Sequence, residues 1–132
     1  MLFVLIWKCV VAPNFITISA GELKTDSMQI EIKAGHLSSL TSKQSGINYI
    51  PEDIEAPLLS FRVKESYHTP SRMDWHEPDS EMHLFFEDTG IKAVVRYTSH
   101  SSHITFELRS VEPAGKADLL VWGPYPTTIK GI

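Results

Sequence analysis

The chain is built largely from short segments in which apolar and polar residues alternate. The clearest covers residues 103–111, where one face carries apolar side chains and the other carries polar ones. The apolar set is Ile104, Phe106 and Leu108, and the polar set is Thr105, Glu107 and Arg109. A period of two places successive side chains on opposite faces of a strand, so this segment predicts a β-strand with one buried face.

Similar segments predict a succession of antiparallel strands. Turn-forming Gly, Pro, Asn, Asp and Ser residues separate them, and residues 88–90 and 99–102 have the lengths of hairpin connections. No segment carries the 3.6-residue period of a long amphipathic helix. We therefore expect an all-β fold, specifically an antiparallel β-sandwich. The predicted strands are 15–18, 28–33, 36–41, 47–50, 58–64, 82–87, 91–98, 103–111 and 118–122.

Two stretches interrupt this pattern. Residues 20–27 have turn formers at both ends and predict a connection between strands. Residues 65–81 are polar, aromatic and punctuated by proline, and they predict a long loop. Because long loops in compact domains often carry functional residues, this loop is the first place to expect a binding site.

Length and charge narrow the classes of protein and partner. A chain of 132 residues has the size of one domain. Its formal net charge of −4 provides no electrostatic attraction to nucleic acid or to an anionic membrane. The single cysteine, Cys9, has no second thiol for an internal disulfide. Nucleic acid is therefore not an expected partner, and cysteine content does not indicate the compartment.

Residues 1–13 form an apolar segment that only Lys8 interrupts. A membrane-spanning helix needs about 20 apolar residues, whereas the apolar region of an export signal has about 7–15. We therefore expect no stable membrane insertion. The segment predicts either an export signal, which would place the protein in the periplasm or outside the cell, or a buried strand. Residues 14–132 then form the β-sandwich module.

The order of turns and strands resembles a family of sugar-related domains. Residues 35–46 read Gly-x-Leu-Ser-Ser-Leu-x-x-Lys-x-Ser-Gly, residues 57–63 read Pro-Leu-Leu-Ser-Phe-Arg-Val, and residues 122–125 form a Trp-Gly-Pro-Tyr corner. Together they resemble the N-terminal part of the galactose-mutarotase-like β-sandwich that precedes the catalytic domain in many bacterial glycoside hydrolases. The resemblance covers residues 14–128.

This resemblance has three implications. Family members complete a supersandwich of about twice this length, so the chain is expected to be an incomplete sandwich. Its parent protein is expected to be a secreted bacterial glycoside hydrolase that degrades polysaccharide. Its partners are expected to be a carbohydrate or the catalytic domain of the same polypeptide.

Two places in the sequence are candidates for carbohydrate binding. The predicted long loop brings an indole and an imidazole next to two carboxylates, and the 122–125 corner adds a phenol ring. Aromatic rings stack on the C–H face of a sugar, and carboxylates accept hydrogen bonds from its hydroxyls. The alternative interpretation of the loop residues is a solvated polar loop without a ligand. The candidate residues are Asp74, Trp75, His76, Glu77 and Tyr125.

Two tryptophans are predicted to have opposite roles. Trp75 lies in the predicted loop, where an exposed indole has little structural purpose, so we expect it to contact the glycan. Trp122 ends a strand before a Gly-Pro pair, so we expect a buried core anchor whose removal destabilises the fold.

No residue pattern predicts catalysis, a cofactor or a metal site. Glycoside hydrolysis needs two carboxylates at a fixed separation, and nothing in the sequence pairs any two of them. The six histidines lack companion ligands at metal-binding spacing. We therefore predict a non-catalytic carbohydrate-binding module. Two alternatives stay open: a homo-oligomer that associates through open sheet edges, and a mutarotase-type enzyme that uses His and Glu in acid–base chemistry.

Overall fold

The computed structural model describes residues 18–128, in which ten strands form three antiparallel sheets. One 3₁₀ turn covers Glu77–Asp79, and no α-helix occurs among these residues. The prediction of an all-β antiparallel fold is confirmed. The strands are β1 (Ala20–Lys24), β2 (Met28–Lys33), β3 (His36–Ser42), β4 (Leu59–Val63), β5 (Ser66–His68), β6 (Arg72–His76), β7 (Glu81–Phe86), β8 (Ile91–Ser99), β9 (Ile104–Glu112) and β10 (Leu119–Trp122).

The apolar segment 1–13 lies outside the described residues. So does the predicted strand 15–18, apart from its last residue. That residue, Ile18, forms an isolated antiparallel bridge with Trp75.

The three sheets are mostly assembled from strands that are neighbours in the sequence. Their orders are β1-β2-β3, β6-β7-β8-β9 and β10-β4-β5. Strand β10 is the exception, because it returns to pair with β4 and places Trp122 opposite Leu59. This return brings the 122–125 corner next to the segment that leads into β4.

One hydrophobic core is shared by residues of all three sheets. Phe61 of β4 meets Phe86 of β7 at an angle of 64°, with ring centroids 4.8 Å apart. Burial of side chains of this size stabilises a fold by about 1.5–3 kcal/mol each, so the shared core holds the sheets together. In β7 and β8 the inward positions are all buried: Met82, Leu84, Phe86, Ile91, Ala93, Val95 and Tyr97.

The core becomes thinner towards β9, which is the edge strand of the four-stranded sheet. Its inward residues Ile104, Phe106 and Leu108 are only half-buried. Within residues 18–128 no strand pairs with the outer edge of β9.

Both predicted connections are wrong, because each contains strands. The segment 20–27 contains β1, in which only Leu23 is fully buried, so no alternation marked it in the sequence. The segment 65–81 contains β5, β6 and the 3₁₀ turn. The opposite error occurs at 47–50, where the predicted strand is a single bridge between Thr41 and Asn48.

Candidate functional site

The four candidate residues of the predicted loop do not form one site. They lie on β6 and in the 3₁₀ turn that follows it. Asp74 is half-buried and His76 exposed on the outer face, Trp75 points into the core, and Glu77 is exposed in the turn.

Trp75 is part of the core, and the prediction that its ring is exposed is wrong. Its exposure is 7%, its indole N–H donates to the Tyr97 hydroxyl at 3.0 Å, and the two rings are tilted against each other at 5.2 Å. Gly21 of β1 lies directly over the indole, since a Cβ there would lie 2.8 Å from the ring. Trp75 therefore closes the core against β1 and is not available as a sugar platform.

The outer face of β6 and β7 brings imidazoles and carboxylates together. The rings of His76 and His83 stack with centroids 4.1 Å apart, and His83 Nε2 lies 3.4 Å from Glu81 Oε1. Burial lowers the pKa of His83, and the neighbouring His76 lowers it further. The hydrogen bond to Glu81 raises the pKa but does not outweigh burial. His83 and Glu81 contact each other directly, whereas a mutarotase-type mechanism needs an acid and a base on either side of a sugar ring.

The 122–125 corner is held by hydrogen bonds to the beginning of β4. Gly123 has a φ of +89°, and its N–H donates to the Leu58 carbonyl at 3.1 Å. The Ser60 hydroxyl donates to the Gly123 carbonyl at 2.7 Å, and the Tyr125 hydroxyl donates to the Leu58 carbonyl at 2.7 Å. Burial raises the pKa of Tyr125 to about 12. The corner is thus a fixed structure in which Tyr125 is 42% exposed.

Trp122 is not a buried anchor, and that prediction is wrong. Its exposure is 38%, although it lies directly opposite the fully buried Leu59. Strand β10 is an edge strand of four residues, so among the described residues one side of Trp122 has no strand beside it.

A cleft of about 480 Å³ lies beside this corner on the outer face of the β10-β4-β5 sheet. Its walls are mainly apolar, with hydroxyl groups and one carboxylate among them. Tyr67 is 58% exposed, and the Ser60 hydroxyl already donates to Gly123, so it can only accept from a ligand. The lining residues are Glu55, Pro57, Ser60, Tyr67, Thr69, Val121 and Pro124.

Strand pairing explains how these residues converge. Ser60 lies opposite Val121 of β10, and Arg62, two residues further along β4, lies opposite Tyr67 of β5. Residues two apart on a strand share a face, so one side of β4 carries both positions. Tyr67 was missed from the sequence because it lies in the segment predicted as a loop. The available signal was the alternation of Ser60 and Arg62 within an otherwise apolar strand.

Comparison with known proteins does not assign the chain to a family. No protein-family model matches it, and neither curated proteins nor solved structures give a significant match. The resemblance to galactose-mutarotase-like domains therefore stays a prediction.

Two further properties concern residues 18–128 alone. No three His, Cys, Asp or Glu side chains of this part come together in a way that would hold a metal ion. Residues 18–128 contain no helix that is long and apolar enough to cross a membrane.

Proposed function

We propose that the protein is a non-catalytic carbohydrate-binding module that holds a glycan in the cleft beside the 122–125 corner. The observation that carries the proposal is an exposed aromatic ring, Tyr67, in a cleft whose polar groups are hydroxyls and a carboxylate. Sugars are recognised by this combination, because ring stacking binds their C–H faces and oxygen atoms bind their hydroxyls. The proposal fits an accessory module of a secreted bacterial glycoside hydrolase.

The dimensions of the cleft suit a small ligand or a short piece of a polymer. Binding pockets for small molecules usually have volumes of roughly 300–1,000 Å³ and apolar walls with a few polar groups. Pro124 and Val121 supply the apolar wall, and Thr69 and Glu55 supply polar atoms. Since the corner is fixed by the hydrogen bonds to Leu58, this wall is in place before a ligand arrives.

A binding role is favoured over hydrolysis by the charge content of the cleft. Glycosidases use two carboxyl groups on either side of the bond that is cleaved. Glu55 is the single carboxylate among the lining residues, and its side chain is largely exposed. We therefore expect no release of reducing sugar by the purified chain, and robust release would contradict the non-catalytic role.

The test is affinity electrophoresis with a panel of neutral and acidic polysaccharides. At least one is expected to retard the wild-type chain, and Tyr67→Ala is expected to weaken that retardation by roughly tenfold through loss of stacking. Phe85→Ala is the matched control, because Phe85 is an aromatic residue on the outer face of the four-stranded sheet. Failure of every polysaccharide to retard the wild type would overturn the proposal.

A second candidate function, self-association, is favoured by the open edge of β9. His100 N–H donates to the His103 carbonyl at 2.8 Å, which closes the β8–β9 hairpin. Because antiparallel pairing alternates from residue to residue, Ile104, Phe106 and Leu108 then direct their N–H and C=O groups towards the open edge. A second copy can pair there about a two-fold axis through Phe106, with Ile104 facing Leu108 of the other copy.

Sedimentation velocity distinguishes this second candidate. Phe106→Lys is expected to convert a dimer into a monomer, because it places a charge in the apolar contact between copies. Thr105→Lys is the control, since residue 105 is exposed on the opposite face of β9. A wild-type chain that sediments as a monomer at tens of micromolar would contradict self-association.

A further inference from the structure

Arg62 differs from every other arginine of the chain in having no acidic partner among the described residues. Arg72 pairs with Asp74 at 3.0 Å, Arg96 lies 3.8 Å from a Glu81 oxygen, and Arg109 lies 3.3 Å from a Glu107 oxygen. The Nε atom of Arg62 is buried and has no hydrogen-bond partner within residues 18–128. A buried unsatisfied donor costs free energy, and native folds contain few of them.

Arg62 is a strand neighbour of residues that line the proposed glycan cleft. It lies between Leu119 of β10 and Tyr67 of β5, directly opposite both in the strand register. Leu119 and Tyr67 are large, exposed hydrophobic residues, so Arg62 has apolar neighbours on both adjacent strands. Ser60, on the same face two residues away, lines the cleft.

The guanidinium of Arg62 makes no hydrogen bond to another described residue. Its Nε atom is covered, and neither terminal Nη atom donates to a residue within 18–128. A guanidinium group that presents two Nη atoms binds a carboxylate through two parallel hydrogen bonds. Arg62 can therefore still donate hydrogen bonds to a planar anion, such as a carboxylate, that approaches from the solvent.

We infer that the ligand of the cleft is an acidic glycan, in which a uronic-acid carboxylate binds Arg62 while the sugar ring stacks on Tyr67. This inference rests on the proposed function. The side chains of directly opposed residues in an antiparallel pair start about 5 Å apart. A uronic acid matches this spacing, because its carboxylate is attached directly to the sugar ring. With a net charge of −4 on the chain, a local unpaired cation is needed for an anion to bind.

The test compares two forms of one polymer, polygalacturonate and its fully methyl-esterified form, as ligands of the full chain. Esterification removes the charge and keeps the sugar ring, so it separates the carboxylate contact from stacking. Polygalacturonate is expected to bind at least roughly tenfold more tightly, and Arg62→Gln is expected to abolish this preference. Arg109→Gln removes the same charge from β9 of the four-stranded sheet and is expected to leave the preference unchanged.

Each outcome decides either the inference or the function on which it rests. Equal binding of the two polymers, or a preference that persists in Arg62→Gln, would overturn the inference and leave the glycan-binding role intact. Binding of a neutral polysaccharide but not of polygalacturonate would do the same. Failure of all polysaccharides to bind would overturn both proposals.

Discussion

Arginines on the outer faces of the four-stranded sheet and the β10-β4-β5 sheet have opposite environments. On the four-stranded sheet, Arg72 pairs with Asp74 and lies 3.8 Å above the centre of the Phe85 ring. On the β10-β4-β5 sheet, Arg62 lies between Leu119 and Tyr67, and its buried Nε atom has no hydrogen-bond partner in the described part of the chain. The arginine of the first face is paired with a carboxylate, whereas the arginine of the second has no acidic partner among the described residues. The difference indicates that an anionic ligand would bind on the second face.

The same contrast applies to the two tryptophans, and it predicts the largest stability effect. Trp75→Ala is expected to lower the free energy of unfolding by about 3–5 kcal/mol, because it opens a cavity under β1 and leaves the Tyr97 hydroxyl without its partner. Trp122→Ala is expected to cost about 1–2 kcal/mol, since its ring is partly in solvent. Urea denaturation measures both values. A larger loss for Trp122 than for Trp75 would reverse the contrast.

The corner beside the cleft predicts an intermediate effect that depends on pH. Tyr125→Phe removes the hydrogen bond to Leu58 and is expected to cost about 1 kcal/mol at neutral pH. Because burial raises the pKa of Tyr125 from 10.0 to about 12, the folded state retains its phenolic proton longer than the unfolded state does. Wild-type stability is therefore expected to fall as pH rises from about 10 to 12, with a slope that Tyr125→Phe reduces. Equal slopes in urea denaturation would contradict this assignment.

Replacing the arginines compares the two faces directly. Arg62→Met is expected to leave stability unchanged or raise it by up to about 1 kcal/mol, because it removes a buried unsatisfied donor and keeps the apolar stem. Arg72→Met is expected to cost about 0.2–1 kcal/mol through loss of exposed ion pairs and the contact with Phe85. Thermal unfolding of the two variants is the measurement. A clear loss for Arg62→Met would show that Arg62 stabilises the isolated fold.

The smallest predicted effect lies on the face of the four-stranded sheet. Burial lowers the pKa of His83 below 6.5, so the unfolded state binds a proton at a higher pH than the folded state. Wild-type stability is expected to fall as pH decreases through 6.5, until His83 is also protonated in the folded state. His83→Gln is expected to reduce this slope, and the reduction is expected to be small because the group is partly exposed. His100→Gln, at the exposed hairpin tip, is the control.

The sequence predicted those strands whose two faces differ in polarity. β7, β8 and β9 were predicted to within one residue at each end, because inward and outward positions alternate along most of their length. β6 has the same alternation at Met73 and Trp75, but it has only five residues and lies in a polar, proline-rich region. Misplacing it as a loop inverted the roles of the two tryptophans.

The candidate cleft could not be predicted, because it depends on pairing between distant segments. The register of β10 against β4 places Val121 beside Ser60, and no local pattern encodes which strand β10 joins. The chemistry of the 122–125 corner was visible in the sequence, including the glycine and the aromatic rings. Its contact with Leu58, which fixes the wall of the cleft, became apparent only in the fold.

The bond from Tyr125 to Leu58 joins residues 67 positions apart, which has a consequence for biogenesis. A ribosome must synthesise the chain through the corner before the wall formed by Val121 and Pro124 can dock on β4, so the cleft forms well after β4 itself has been synthesised. Long-range strand pairing of this kind is slow, and the half-formed sheet exposes the edge of β4 meanwhile. A ligand that binds only the completed cleft would shift the folding equilibrium towards the native strand order by mass action.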